Sequence, residues 1–97
     1  MPFSIVLAPE AVDDLKRLRA AARTEIRTGL ETHLRHEPEK PSRSRIKRLR
    51  GLRQPQYRLR VGDLRIFYDV VGTTVEVLAI VAKSEADQWL AQFGNPE

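Results

Sequence analysis

Residues 56–70 read QYRLRVGDLRIFYDV, and apolar side chains alternate with charged ones on both sides of Gly62-Asp63. Tyr57, Leu59 and Val61 alternate with Arg58 and Arg60; Leu64, Ile66, Tyr68 and Val70 alternate with Arg65, Phe67 and Asp69. A period of two predicts strands, and Gly-Asp between two such runs predicts a two-residue hairpin turn. With that turn Val61 opposes Leu64, Arg60 opposes Arg65, Leu59 opposes Ile66 and Arg58 opposes Phe67. The apolar residues then match across the hairpin, which forces Arg58, Arg60 and Arg65 together on the other face. Like charges set directly opposite each other cost up to ~1 kcal/mol per pair. An arrangement that costs stability calls for a use.

Two explanations compete. Asp63, Asp69 or Glu76 can compensate the arginines, although exposed pairs contribute only ~0–1 kcal/mol. The expected register sets Asp69 opposite Glu76, so the face is polarised, basic at one end and acidic at the other. Alternatively the cluster binds an anion. Guanidinium groups present forked donors that match phosphate oxygens, and a cluster of them can hold a phosphate or stabilise the charge of its transition state.

Outward from the hairpin, Gly72-Thr73 predicts a second turn before Val75–Val81, a run apolar on both faces and so a central strand. The three strands form an antiparallel meander. At the N-terminus Ser4–Leu7 is a strand candidate, followed by Pro9 and Glu10 as a helix start. Ala11, Val12, Leu15, Leu18 and Ala22 recur at helical spacing. A second helix runs from about Thr24, with Ile26, Leu30 and Leu34 four apart, and ends before Pro38. The pair forms an αα-hairpin joined at Ala21-Ala22-Arg23. Gly29 inside the second helix costs ~1 kcal/mol against alanine and marks a close crossing. Ser84-Glu85-Ala86-Asp87 resembles a capping box with Ser84 as N-cap, and Ala86, Leu90 and Phe93 continue a short C-terminal helix stopped by Gly94. The expected fold is α+β: an N-terminal strand, an αα-hairpin and a meander sheet with helices on one face, all in one domain over residues 1–97.

The 97 residues suit a single small domain, and the absence of cysteine excludes a disulfide framework and thiolate metal ligation. No apolar run approaches the ~20 residues that span a bilayer, and MPFSIVLAPEA lacks the features of a signal peptide, so a cytoplasmic location is expected. The formal charge of +4 is unevenly distributed. Lys40–Gly62 carries nine basic residues and no acid, whereas residues 1–39 are net −1 and residues 63–97 net −4. Such a block is the footprint of a polyanion-binding surface, or else a solvated linker over residues 40–48. Ile46, Leu49 and Leu52 are its apolar anchors. His33 and His36 are expected to face solvent at the end of the second helix. Trp89 and Phe93, at i and i+4, read as a packing pair rather than a base-stacking platform.

The element order, with RLRGLRQPQYRLRVGDLRIFYDV and VEVLAIVAKSEADQWL, resembles the RelE/ParE superfamily of type II toxins over nearly the whole chain. The hairpin YRLRVGDLRIFY is the most specific part. The resemblance implies a cognate antitoxin protein as partner in a hetero-oligomer, and one of two activities. RelE-like members are ribosome-dependent mRNA endonucleases in which a ribose 2′-OH attacks the adjacent phosphate without metal or cofactor. ParE-like members poison DNA gyrase. By position, Arg58, Arg60 and Arg65 match the family's basic strand residues. Arg45, Lys47, Arg48, Arg50 and Arg53 are expected to contact RNA backbone.

The chain departs from the nuclease pattern where an arginine and a tyrosine normally assist proton transfer, since Ser84 and Leu90 stand there. Lys83, Asp87 or, if it faces the arginines, Tyr68 remain as proton-transfer candidates, with Lys83 taken as catalytic. The leading expectation is an mRNA endonuclease. Its alternatives are a gyrase poison and a catalytically weak relative that binds RNA or antitoxin.

Overall fold

The computed structural model describes residues 2–97. Its elements are β1 (Ser4–Leu7), α1 (Pro9–Arg17), α2 (Ala20–Gly29) extended by a π-helical turn (Leu30–Leu34), β2 (Ile46–Arg48), β3 (Leu52–Gln54), β4 (Tyr57–Val61), β5 (Leu64–Val71), β6 (Thr74–Ala82), a 3-10 turn (Lys83–Glu85), α3 (Ala86–Phe93) and β7 (Asn95–Pro96). The main sheet has five strands in the order β1-β6-β5-β4-β2. Strands β4, β5 and β6 form the expected meander. Gly62 and Gly72 supply positive φ at the two turns, +56° and +60°, where an L-residue would be strained.

Two strands join the meander from a distance. Strand β1 lies parallel to β6, Ile5 beside Val75 and Leu7 beside Val77. Strand β2 lies antiparallel to β4. The basic block is therefore not one loop. Its first part adds a strand to the sheet through buried Ile46, and its second, turning at Gly51, pairs with the C-terminus as a small β3–β7 ribbon.

The core is one cluster between the sheet and the first two helices, built from Ile26, Leu30 and Leu34 against Leu59, Ile66, Tyr68, Val75, Val77 and Ile80. Val77 and Ile80 both reach it although three residues apart, because the register shifts between Phe67 and Tyr68 and leaves Leu78 as an extra residue on β6. Strand β6 is apolar on both faces, as expected of a central strand: Val75, Val77 and Ile80 enter the core, while Leu78, Ala79 and Val81 line a cavity with Trp89 and Phe93.

Two expected helix boundaries move. The break between α1 and α2 falls at Leu18 and Arg19, both extended, not at Ala21-Ala22-Arg23, which lie inside α2. Alanines 20–22 favour helix, and the Arg23 guanidinium donates to the Leu18 carbonyl that the break exposes. Ser84 is not an N-cap: it sits in the 3-10 turn, and Glu85 precedes α3 with no side-chain cap.

Helices α1 and α2 cover one face as expected. The third reaches the other, where Trp89 stacks on fully buried Phe67 at 4.8 Å between ring centres and 5° between planes. Phe67 alternates with the core residues Ile66 and Tyr68, so its cover must come from that second side.

The crossing marked by Gly29 is against the sheet. A Cβ there would stand 2.8 Å from Val61 Cγ2. Valine is stiff at χ1 and overpacking costs ~1–3 kcal/mol, more than the ~1 kcal/mol of helix propensity that alanine returns. Gly29→Ala is expected to lower stability by about 1 kcal/mol in urea unfolding. In a Val61→Ala background the same change becomes neutral or stabilising, because the clash has gone.

Candidate functional site

The hairpin register is the expected one, with Arg60 beside Arg65, Arg58 beside Phe67 and Leu59 beside Ile66. Strand β2 extends it. Lys47 lies opposite Arg58, and the Arg60 backbone N–H donates to the Arg45 carbonyl at 2.9 Å. Lys47, Arg58, Arg60 and Arg65 thus share one face across three strands. Lys47 belongs with the hairpin arginines rather than with a loop, and the step from buried Ile46 to exposed Lys47 is the sequence signal that places it there.

The compensation explanation fails among the described residues. The ion pairs there are Arg17 with Asp14, Arg35 with Glu31 and Lys40 with Glu37, none of them on this face. Asp69 does lie opposite Glu76. It is buried, and its carboxylate accepts from Gln54 Nε2 at 2.7 Å and from the Gln56 N–H at 2.8 Å. Gln56 Oε1 in turn accepts from the Val70 N–H at 2.9 Å. Asp69 therefore fastens the segment entering β4 and neutralises no arginine.

The three arginines differ in environment. Arg60 is exposed. Arg65 is only 7% exposed and curls back, Nη1 donating to the Gly62 and Leu64 carbonyls at 3.0 Å each, so it also holds the turn. Arg58 is half-buried, and its Nε is buried without a hydrogen-bond partner among the described residues. Burial, then the charges of Arg65 and Arg60, weakens its hold on its proton relative to an ordinary arginine. It remains a cation at any working pH. Leaving a buried donor unmet costs ~1–3 kcal/mol, which an incoming acceptor recovers only if the side chain shifts to expose its Nε.

Among the remaining expected residues, Lys47, Arg50, Arg53 and Lys83 are exposed, with Arg53 on the β3–β7 ribbon and Lys83 in the turn after β6. Arg48 lies over the Tyr57 ring at 5.2 Å and donates to the Gln56 carbonyl at 2.8 Å. Tyr68 does not face the arginines. It is stacked on Tyr57 in the core, and its hydroxyl donates to the Pro38 carbonyl at 2.7 Å. Burial pushes its pKa far up, so it stays protonated and is no proton-transfer group for this face. Trp89 and Phe93 do pack together, 5.6 Å apart, while Phe93 remains half exposed. Leu90 is half-buried, consistent with a packing role. His36 is exposed as expected; His33 is half-buried and lines a cavity with Arg45.

The chain as a whole is similar to known toxins. The family model for the ParE toxin of the type II toxin-antitoxin system parDE matches residues 5–87. No curated protein matches the sequence. Among solved structures, the chain is similar to the RelB-RelE antitoxin-toxin complex of Methanococcus jannaschii, at 24% identity and TM-score 0.67, covering 87% of this chain and 96% of that one. It is also similar to the archaeal RelE-RelB complex of Pyrococcus horikoshii, at 22% identity and TM-score 0.70 over 86% and 97% of the two chains. A mutant of E. coli toxin RelE in the free state matches at 21% identity and TM-score 0.68, over 94% and 93%. These likenesses show a shared RelE-like fold. With the family match over residues 5–87, they place the chain in the ParE toxin family, within the RelE/ParE superfamily of type II toxins.

Proposed function

We propose that this toxin acts on RNA as an endonuclease at the ribosome, with its arginine face holding the phosphate to be cleaved. The observation that carries this reading is Arg58, a half-buried guanidinium with an unpartnered buried Nε, set between Lys47 on one strand and Arg60 and Arg65 beside it. A fold that keeps four cations together with no ion-pair partner among the described residues gains most from a bound phosphate. Arg58 and exposed Arg60 would touch the phosphate oxygens, and Arg65 would add its charge from below while fixing the turn. Exposed Lys47 and Arg50 would follow the backbone of the strand. Lys83, exposed at the end of β6, is the nearest candidate in the sequence pattern for proton transfer. The partner in the resting complex is a cognate antitoxin whose acidic or amphipathic segment covers the basic face, and the site of action is the cytoplasm. No metal or cofactor is called for by this chemistry.

One observation favours a second reading. Neither tyrosine lies on the arginine face, and Ser84 and Leu90 stand where the nuclease pattern has its proton-transfer groups. Phosphate binding without cleavage would then serve a gyrase-directed toxin or a weak relative.

Expression of the chain in a host separates these. Transcripts cut within codons, mapped by their 5′ ends, are expected, with growth arrest relieved in Arg60→Ala. Intact transcripts together with DNA breaks and filamentation would replace the nuclease reading by the gyrase one.

A further inference from the structure

A second cluster of cations lies on the far side of β2. A cavity of about 280 Å³ is lined by His33 from the π-helical turn, by Lys40 and Ser42 from the following loop, and by Arg45 at the start of β2. Glu37 is the one acid among the residues that line it, and Lys40 holds it at 3.4 Å. On the helix side, Glu31 is taken by Arg35 through two contacts. Arg45 has no ion pair among the described residues. The cavity therefore presents Arg45, and His33 when protonated, as charge without an ion-pair partner among the described residues, its one lining acid, Glu37, being held by Lys40.

The surroundings are built rather than loose. Ser42 Oγ accepts from the backbone N–H groups of Arg45 at 3.1 Å and Ile46 at 3.0 Å, which fixes the loop and leaves the hydroxyl proton free to donate. His33 is carried on a π-helical turn, a widening that costs hydrogen-bond geometry and recurs at functional sites. Burial, and then the Arg45 charge, depresses the His33 pKa.

We infer that this cavity is an anion site that takes a phosphate group between His33, Arg45 and the Ser42 hydroxyl. A phosphate offsets Arg45 and accepts from the imidazolium, so it raises the proton affinity of His33. By linkage, it binds more tightly as pH falls through the His33 transition. Because Arg45 adjoins Arg60 through the backbone, a nucleic acid strand lying on the arginine face can reach this cavity around the edge of β2. That extension rests on the RNA reading; the anion site itself does not.

The chain has only two histidines, so proton NMR of the imidazoles reads the site directly. Titrated with inorganic phosphate at constant ionic strength, His33 is expected to shift and its pKa to rise by about one unit, a tenfold gain in proton affinity, while His36 stays still. Sulfate, whose charge is constant over pH 5–8, should act alike and isolate the His33 titration. Arg45→Gln should weaken phosphate binding about tenfold and raise the His33 pKa in the absence of any anion. His33→Gln should remove the pH dependence of sulfate binding but leave the fold intact. An unmoved His33, or equal shifts of His33 and His36 that mean screening alone, would overturn the site. Single-stranded RNA with 5′-hydroxyl ends that moves His33 identifies backbone phosphate as the source. Movement by 5′-phosphorylated RNA alone identifies a terminal phosphate. Loss of toxicity plays no part in these readings, so they stand or fall separately from the nuclease proposal.

Discussion

Arg58→Met is expected to abolish growth arrest and at the same time to stabilise the fold by about 1 kcal/mol. The two effects have one origin. Arg58 stands opposite Lys47 and beside Arg60, and its buried Nε has no partner among the described residues. A like pair directly opposite on a sheet costs up to ~1 kcal/mol, and an unmet buried donor adds ~1–3 kcal/mol, reduced here by the exposure of the rest of the side chain. Methionine keeps the length and the apolar stem, opposite Phe67 in the strand register, and removes both penalties. Against that gain, losing one preorganised donor at a reacting phosphate costs about 10²–10³ in rate. RNA affinity should fall too, with the slope of log K against log salt reduced by about one.

Urea unfolding and a growth assay on the same variant check the prediction. A stabilised Arg58→Met that still arrests growth would show the cluster to be incidental. A destabilised one would show that the folded protein depends on the guanidinium, and that the strain argument is wrong. Arg65→Met is the contrasting case. Its Nη1 supports the Gly62 and Leu64 carbonyls, so its loss should weaken the hairpin as well as the function.

How much of this was legible in the sequence depends on the range of the interaction that decides each element. The β4–β5 hairpin was fully legible because turn, alternation and matched apolar residues lie within fifteen positions and agree. Ile26, Leu30 and Leu34 were legible for the same reason. The partners of β1 and β2 were not, since parallel pairing with β6 and capture of the basic block depend on contacts far apart in sequence. The bulge at Leu78 hid behind apolar residues on both faces. At the site, the alternation that grouped three arginines also grouped Lys47, but the density of charge in residues 43–53 masked it. The role of Asp69 was hidden differently. Its position opposite Glu76 was readable, whereas its two donors come from Gln54 and Gln56, residues with no pattern of their own.

Asp69→Ala should accordingly be the most damaging of the polar substitutions on the sheet. The Gln56 N–H loses its acceptor at a part-buried site, Gln54 Nε2 loses another, and the Gln56 side chain that reaches the Val70 N–H loses its support. Hydrogen bonds to a charged group are worth ~1.5–3 kcal/mol each, and they are not additive within a network, so a loss of about 3 kcal/mol is expected. Asp69→Asn separates the two. Its carbonyl oxygen still accepts from Gln56, but its amide faces the Gln54 amide as a second donor, so roughly half the loss should remain unless Gln54 flips. Flipping would turn the Gln54 carbonyl toward the new amide at position 69 and break its present contact with Asn95 Nδ2, 3.2 Å away. That would couple the variant to the β3–β7 ribbon. Hydrogen exchange at Leu52 and Gln54 should then quicken in Asp69→Ala and Asp69→Asn alike, while Ile66 in the core stays protected. Uniform quickening across β5 would mean instead that Asp69 supports the whole sheet, and that the segment entering β4 has no separate anchor.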